Sequence, residues 1–196
     1  RLLRGEMGAA TVFSEDPVAQ VCKFSEQGFS WLHIVDLNGA FEGRAFHKYL
    51  IEDMVKVTDL KVQLGGGIRS VEALESWIRA GVARVILGTV ALHNPDFVKD
   101  ACKNFPGKIV VGIDGRKGMV AVNGWAEQSQ TPVVELGKRF EDDGVSAIIY
   151  TDIERDGAMS GVNLEATAAF AKSLSIPVIA SGGVASMGDL RALKKL

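Results

Sequence analysis

Short apolar runs rich in β-branched residues alternate along the chain with longer stretches in which apolar positions recur every three or four residues. The runs fall at 31–37, 61–64, 84–87, 109–113, 147–153 and 176–180. Several are apolar almost throughout, as parallel strands buried on both faces require. The amphipathic stretches predict helices at 16–27, 45–57, 71–80, 95–104, 132–143, 163–174 and 187–195. Punctuation agrees with these limits. Asp16-Pro17 and Asn94-Pro95 each place a capping side chain before a proline at the first helical position, and Ser70 and Asn163 are further caps. Gly28, Gly81 and Gly144 stand where helices need a left-handed terminator. Strand and helix alternating at this spacing predict an α/β fold with a parallel sheet.

The pattern also repeats, at an offset of about 116 residues. Phe24, Gly28, Ser30 and Asp36 match Phe140, Gly144, Ser146 and Asp152; Gly66, Gly67, Ser70 and Leu74 match Gly182, Gly183, Ser186 and Leu190. Two similar halves, roughly 1–110 and 111–196, are therefore expected within one domain spanning 1–196. The architecture that fits is a TIM (β/α)8 barrel built from two half-barrel repeats. A closed barrel of this kind has eight strands and about 250 residues, whereas six strands are visible here. Residues 1–5 read as the tail and loop of a first strand lying before Arg1, and an eighth strand is expected after Leu196. The competing expectation is an open, doubly wound sheet of six strands.

Bulk properties narrow the function. Hydrophobic residues make up 47% of the chain and charged residues 23%, ordinary values for a packed globular core. A net charge of -2 gives no electrostatic reason to expect nucleic acid or an anionic membrane as a partner. No apolar run approaches the ~20 residues that span a bilayer, and the first residues lack the pattern of a signal peptide. Cytoplasmic residence is expected, with Cys22 and Cys102 as reduced, packed thiols. His33, His47 and His93 are scattered, so no metal is expected.

Candidate chemistry gathers where strands end. Gly65-Gly66-Gly67 joins a strand to a helix, and glycines there let backbone N–H groups approach an anion near a helix N-terminus. Gly88-Thr89 forms a second small-residue loop beside it. Ser181-Gly182-Gly183 repeats the first motif. Two anion sites suggest a substrate with two phosphates; tight turns alone are the plainer explanation of either motif. Asp114 closes a buried run, the position from which a barrel strand offers a carboxylate to the active-site mouth. Thr151 ends the next run and is a candidate to orient a hydroxyl or relay a proton. Asp156 follows in the loop and is a candidate acceptor for sugar or amine groups. Trp125, after a short hairpin-like stretch, is a candidate to stack on a planar heterocycle or to cover a loop core. Asp36 and Asp152, being repeat mates, are expected to serve the architecture.

The ensemble resembles the phosphoribosylformimino-5-aminoimidazole carboxamide ribotide isomerases of histidine biosynthesis. The matching pieces run in order through nearly the whole chain: Arg1-Leu2 with Gly5, His33-Ile34-Val35-Asp36-Leu37, Gln63 to Arg69, Val85 to Thr89, Gly112-Ile113-Asp114, Gly124-Trp125 with Glu127 and Ser129, Thr151-Asp152-Ile153 with Arg155-Asp156-Gly157, and Ser181-Gly182-Gly183. The resemblance implies a duplicated half-barrel and an Amadori rearrangement of an aminoaldose carrying a phosphate at each end, without a cofactor. It implies two catalytic aspartates, of which Asp114 matches the second; the first is expected upstream of Arg1, so that the sequence by itself is expected to be nearly inactive. Asp114, Thr151 and Asp156 are then the catalytic positions. Arg1 and Gly5 join Gly66, Gly67, Gly88, Thr89, Trp125, Ser181, Gly182 and Gly183 as substrate- or phosphate-binding positions. A monomer with a small bis-phosphate substrate is expected. The rivals are the cyclase subunit of imidazole glycerol phosphate synthase, a bifunctional isomerase that also takes phosphoribosyl anthranilate, and a non-catalytic sugar-phosphate-binding protein.

Overall fold

The computed structural model describes residues 2–122, 125 and 127–196. Six parallel strands form the frame: β1 (Trp31–Val35), β2 (Lys61–Gly65), β3 (Arg84–Leu87), β4 (Ile109–Arg116), β7 (Ala147–Asp152) and β8 (Val178–Ser181), each hydrogen-bonded to the next. Between β4 and β7 the chain makes an antiparallel excursion through β5 (Met119–Val122) and β6 (Glu127–Pro132). The helices are α1 (Pro17–Glu26), α2 (Leu37–Glu42), α3 (Lys48–Lys56), α4 (Val71–Arg79), α5 (Thr89–His93), α6 (Pro95–Asn104), α7 (Val133–Lys138), α8 (Leu164–Lys172) and α9 (Met187–Leu193).

The capping residues act as their chemistry requires. Asp16, Ser70, Asn94 and Asn163 each accept a hydrogen bond from the backbone N–H three residues on, at 2.9–3.2 Å. Ser186 and Asp189 form a reciprocal capping box at the start of α9. Gly28, Gly81 and Gly144 all have positive φ, as helix terminators.

Side-chain parity decides between the two expected architectures. One face of the strands carries Leu32, Ile34, Val62, Leu64, Val85, Leu87, Ile109, Val111, Ile113, Ile148 and Tyr150, and these pack in one cluster with the buried residues of the helices, among them Leu74, Trp77, Val98, Leu136 and Phe170. The opposite face carries a smaller cluster of Ile86, Val110, Ala147 and Ile149, with Ile179 against it, and no helical residue belongs to it. A doubly wound sheet would cover both faces with helices. Helices on one face and strand side chains alone on the other are the arrangement of a TIM barrel, with its layered interior. Among the described residues the ladder is not closed: β1 pairs only with β2 and β8 only with β7.

Several sequence expectations need correction. The run 31–37 does not stay extended, because the Asp36 carboxylate accepts Gly39 N–H and starts α2. Thr89 opens α5 rather than lying in a loop. The helix expected over 45–57 begins at Lys48, and the one expected over 132–143 gives way to turns after Lys138. Residues 2–6 do not form the tail of a strand. They make a tight turn closed by an isolated Leu3–Glu6 bridge, with Glu6 N–H donating to the Leu3 carbonyl at 3.0 Å. No helix among the described residues is long and apolar enough to cross a membrane.

Candidate active site

The face that lacks helices is concave and forms a cleft of ≈ 710 Å³. An adjoining recess of ≈ 290 Å³ shares Asp156 and Ser181 with it. The cleft has the size of an ordinary small-molecule site.

The register brings the expected chemistry together. Asp114, Thr151 and Ser181 are Cα partners across β4, β7 and β8, so their side chains stand in one row facing the cleft. β4 continues to Arg116 because Gly115 and Arg116 also pair with β5, and this fixes Asp114 inside a ladder rather than at a loose strand end. Gly66, Gly67, Gly88 and Thr89 line one end of the cleft. Gly182 and Gly183 line the adjoining recess. Gly5, Trp125 and Asp156 lie around Asp114 on the same cleft. Arg1 and Gly124 lie outside the described residues.

Asp114 is half-buried, and the protein packed around it pushes its pKa above the ordinary aspartate value. Desolvation is the main cause; hydrogen bonds from Trp125 and Thr151 oppose it, and the nearby charge of Asp156 reinforces it. Trp125 Nε1–H donates to Asp114 Oδ2 at 2.8 Å. A carboxyl with a raised pKa keeps its proton at higher pH and is suited to donate it.

The paired glycines have a second task. Both pairs have positive φ. A Cβ on Gly66 would strike the backbone of Asp36, and one on Gly182 would come 2.5 Å from the Asp152 carbonyl oxygen. The two Asp–Gly contacts are repeat mates with the same geometry. Asp36 holds its own loop together, its carboxylate accepting from the N–H groups of Gly39, Phe46 and His47 at 2.7–3.1 Å. Asp152 does the same through Glu154 N–H and Asn163 Nδ2 at 3.1 and 2.8 Å. Both aspartates are therefore architectural, and the glycine turns are pinned against the loops they cap.

Two polar groups in the cleft had no role assigned to them from the sequence. His33, on β1, faces it, and Gln63 Nε2 donates to His33 Nδ1 at 3.0 Å. Desolvation lowers the His33 pKa and so favours the neutral ring; a neutral ring that accepts at Nδ1 carries its proton on Nε2. Only the register brings this pair together: His33 and Gln63 are Cα partners on adjacent strands, 30 residues apart in sequence. Arg69 also lines the cleft, its guanidinium lying against Gly43 and its Nη2 donating to Ala40 O at 3.4 Å. Among the described residues no cluster of His, Cys, Asp or Glu is arranged to hold a metal ion.

A sequence model of the family described as histidine biosynthesis protein matches residues 1–196. The chain belongs to that family. A relative from Chelativorans sp. (strain BNC1) is 58% identical over 195 residues, covering 100% of this chain and 80% of the relative. A relative from Rhodospirillum centenum is 59% identical over 194 residues, 99% of this chain and 78% of its own length. A third, from Paracoccus denitrificans, is 58% identical over 194 residues, 99% of this chain and 82% of its own. All three bear the name 1-(5-phosphoribosyl)-5-((5-phosphoribosylamino)methylideneamino)imidazole-4-carboxamide isomerase. The one-sided layering of helices on a parallel sheet is thus the histidine biosynthesis family's barrel, and the cleft at its strand ends is where that family's chemistry is to be sought.

Proposed function

We propose that this chain is an isomerase of histidine biosynthesis that carries out an Amadori rearrangement, converting the aminoaldose its relatives are named for into the aminoketose. The observation that carries the reading is the placement of Asp114. A carboxyl of raised pKa lies on a strand between the two that end in the pinned glycine turns, on a cleft of ≈ 710 Å³ with an adjoining recess of ≈ 290 Å³.

The chemistry balances without an external reductant or oxidant. Asp114 gives its proton to the ribose ring oxygen as the bond from that oxygen to C1 breaks, leaving a hydroxyl on C4 and a protonated imine between C1 and nitrogen. A base removes the proton from C2, and the electron pair moves to form the enolamine. Protonation at C1 and loss of the hydroxyl proton at C2 give the ketone, and Asp114 is reprotonated. In this reaction class the substrate is oxidised at C2 and reduced at C1, an aldose–ketose isomerisation. Thr151, adjacent in the row, hydrogen-bonds Asp114 and orients the carboxyl. Asp156 holds the sugar hydroxyls, and Trp125 offers a ring to the imidazole carboxamide. Gly66, Gly67, Gly88 and Thr89 take one phosphate, and Ser181, Gly182 and Gly183 the other. Binding energy from the two phosphates, remote from C1 and C2, is available for orienting the reacting carbons.

The test is to follow the absorbance change of isomerisation with the full-length protein and the aminoaldose, then repeat it with Asp114→Asn. Loss of turnover by about 10²–10⁴-fold is expected for a missing proton donor. Turnover that survives nearly intact removes Asp114 from the mechanism. Turnover that needs ammonia and yields imidazole glycerol phosphate would select the cyclase instead.

A further inference from the structure

The sequence placed Gly5 among the substrate- or phosphate-binding positions; the structure shows what fills the place of its missing side chain. Gly5 has φ +79, and the three atoms nearest to a Cβ built on it all belong to the six-membered ring of Trp125. That indole sits against the Gly5 backbone while its Nε1–H reaches Asp114 Oδ2 at 2.8 Å. Trp125 is itself in the left-handed region, φ +72, which a bulky residue adopts only when its surroundings hold it there. The turn that carries Gly5 is anchored in turn. Arg4 N–H donates to the Asp156 carbonyl at 3.0 Å, and Arg4 Nε to the Glu154 carbonyl at 3.2 Å. Gly157 leaves no room for a side chain against the Leu2 carbonyl. The N-terminal turn is thus stapled to the loop bearing Asp156, and the indole is seated between that turn and Asp114.

We infer that Gly5 is a positioning residue for the proton donor: its bare backbone is the seat that lays the Trp125 indole down so that its N–H fixes the Asp114 carboxyl. The inference rests on the reading of Asp114 as the ring-opening acid, and it makes Gly5 act through Trp125 rather than on a phosphate. One indole face or edge is then occupied by Gly5 while the remainder stays open to the cleft, where the heterocycle would lie. A side chain at position 5 would lift the ring and release the carboxyl.

A double-mutant cycle tests it in the full-length protein, using Gly5→Ala, Trp125→Ala, Trp125→Phe and the paired variants. Strain from a left-handed alanine at position 5 is the same whatever stands at 125; a clash with the indole is not. Gly5→Ala should therefore lower Tm by less than half as much in the Trp125→Ala background as in the parent. Additive losses would overturn the proposal. The second readout is the alkaline limb of the kcat/KM profile. The Trp125 N–H favours the ionised carboxyl, so losing it moves that limb to higher pH. Gly5→Ala and Trp125→Phe should both do so, and the double variant no further. A Gly5→Ala enzyme with a raised KM and an unmoved limb would return Gly5 to the phosphate and refute the seat. If Asp114→Asn retained turnover, the mechanistic reading would fall, yet the Tm coupling would still decide whether Gly5 seats the indole.

Discussion

Substituting the glycines of the first turn separates packing from binding. Gly67 has φ +72, and a Cβ there would come 2.5 Å from the Arg44 carbonyl oxygen and 2.6 Å from that of Gly39. Both obstacles are backbone, so neither can rotate away. The left-handed conformation costs an alanine about 1–2 kcal/mol, and forcing a methyl into filled space adds about 1–3 kcal/mol. Gly67→Ala should lose about 2–5 kcal/mol of stability, read as a lower urea midpoint with unchanged slope. Gly88 also lines the cleft, but it has φ -98 and no atom within 4 Å of an added Cβ. Gly88→Ala should change stability by only about 0.5 kcal/mol. Its methyl, however, projects into the space where a phosphate oxygen would approach the backbone. Losing one hydrogen bond to a charged group costs about 1.5–3 kcal/mol, or about 10–100-fold in affinity, so KM should rise by that factor. The reasoning fails if Gly67→Ala unfolds at the parent urea concentration, or if Gly88→Ala folds normally and keeps its KM.

Four further outcomes follow from the electrostatics of the frame. Because the folded-state pKa of Asp114 is raised, the proton-bound carboxyl favours the fold; that contribution is present below the unfolded pKa and is lost as pH rises through the folded one. Asp114→Asn should therefore match the parent Tm at low pH and exceed it at neutral pH, and kcat/KM of the parent should fall as pH rises through the same ionisation. Asp156→Asn removes a repulsion that raises the Asp114 pKa, so this alkaline limb should move to lower pH. Asp36→Ala strips three backbone N–H groups of their acceptor and should cost on the order of 3 kcal/mol in urea unfolding, more than Asp152→Ala, whose carboxylate serves one backbone N–H, the Asn163 side chain and, at 4.0 Å, the Arg155 guanidinium. Burial and the neighbouring Asp143 push the Cys102 thiol up to about 11, so a thiolate-selective reagent at neutral pH should label Cys102 only on unfolding.

The strands and long helices were legible because burial writes itself into periodicity. β1 to β4, β7 and β8 are apolar runs, and α1, α4, α6 and α8 carry caps that bond as their side chains predict. What escaped is short, polar or non-local. α2 and α5 have six and five residues, less than two turns, too few for an apolar stripe to emerge. β6 reads Glu127-Gln128-Ser129-Gln130-Thr131-Pro132 and is largely exposed, so it has no buried face to alternate with. Asp114 and Thr151 were visible because they close apolar runs, and Asp156 because it lies in the loop beyond one. His33, paired with Gln63 on the next strand, was not, since only the register brings the two together. Gly5 was visible as a glycine, but what fills its missing side chain is a tryptophan 120 residues away, and that is a fact of packing alone.

The repeat also shows how a symmetric frame holds an unsymmetric reaction. The Asp36–Gly66 and Asp152–Gly182 contacts, and the Ser70 and Ser186 caps, are alike in both halves, so they build two equivalent cradles. Positions between the cradles differ. His33 in the first half corresponds to Ile149 in the second, Val35 to Thr151, and Arg69 to Ala185. On β1 the polar group lies one row deeper in the cleft than on β7, where Thr151 stands level with Asp114. Arg69 adds a cation beside Gly66 and Gly67; its repeat mate is Ala185, and the arginine that packs against Gly183 is Arg155, from a different position of the repeat. A substrate with a phosphate at each end would fit two identical cradles in either direction, but only one direction puts the aminoaldose ring against Asp114. If the two turns take the substrate's two phosphates, the residues that break the repeat would set its direction, and exchanging Arg69 for the alanine of the other half should raise KM while leaving the urea midpoint in place.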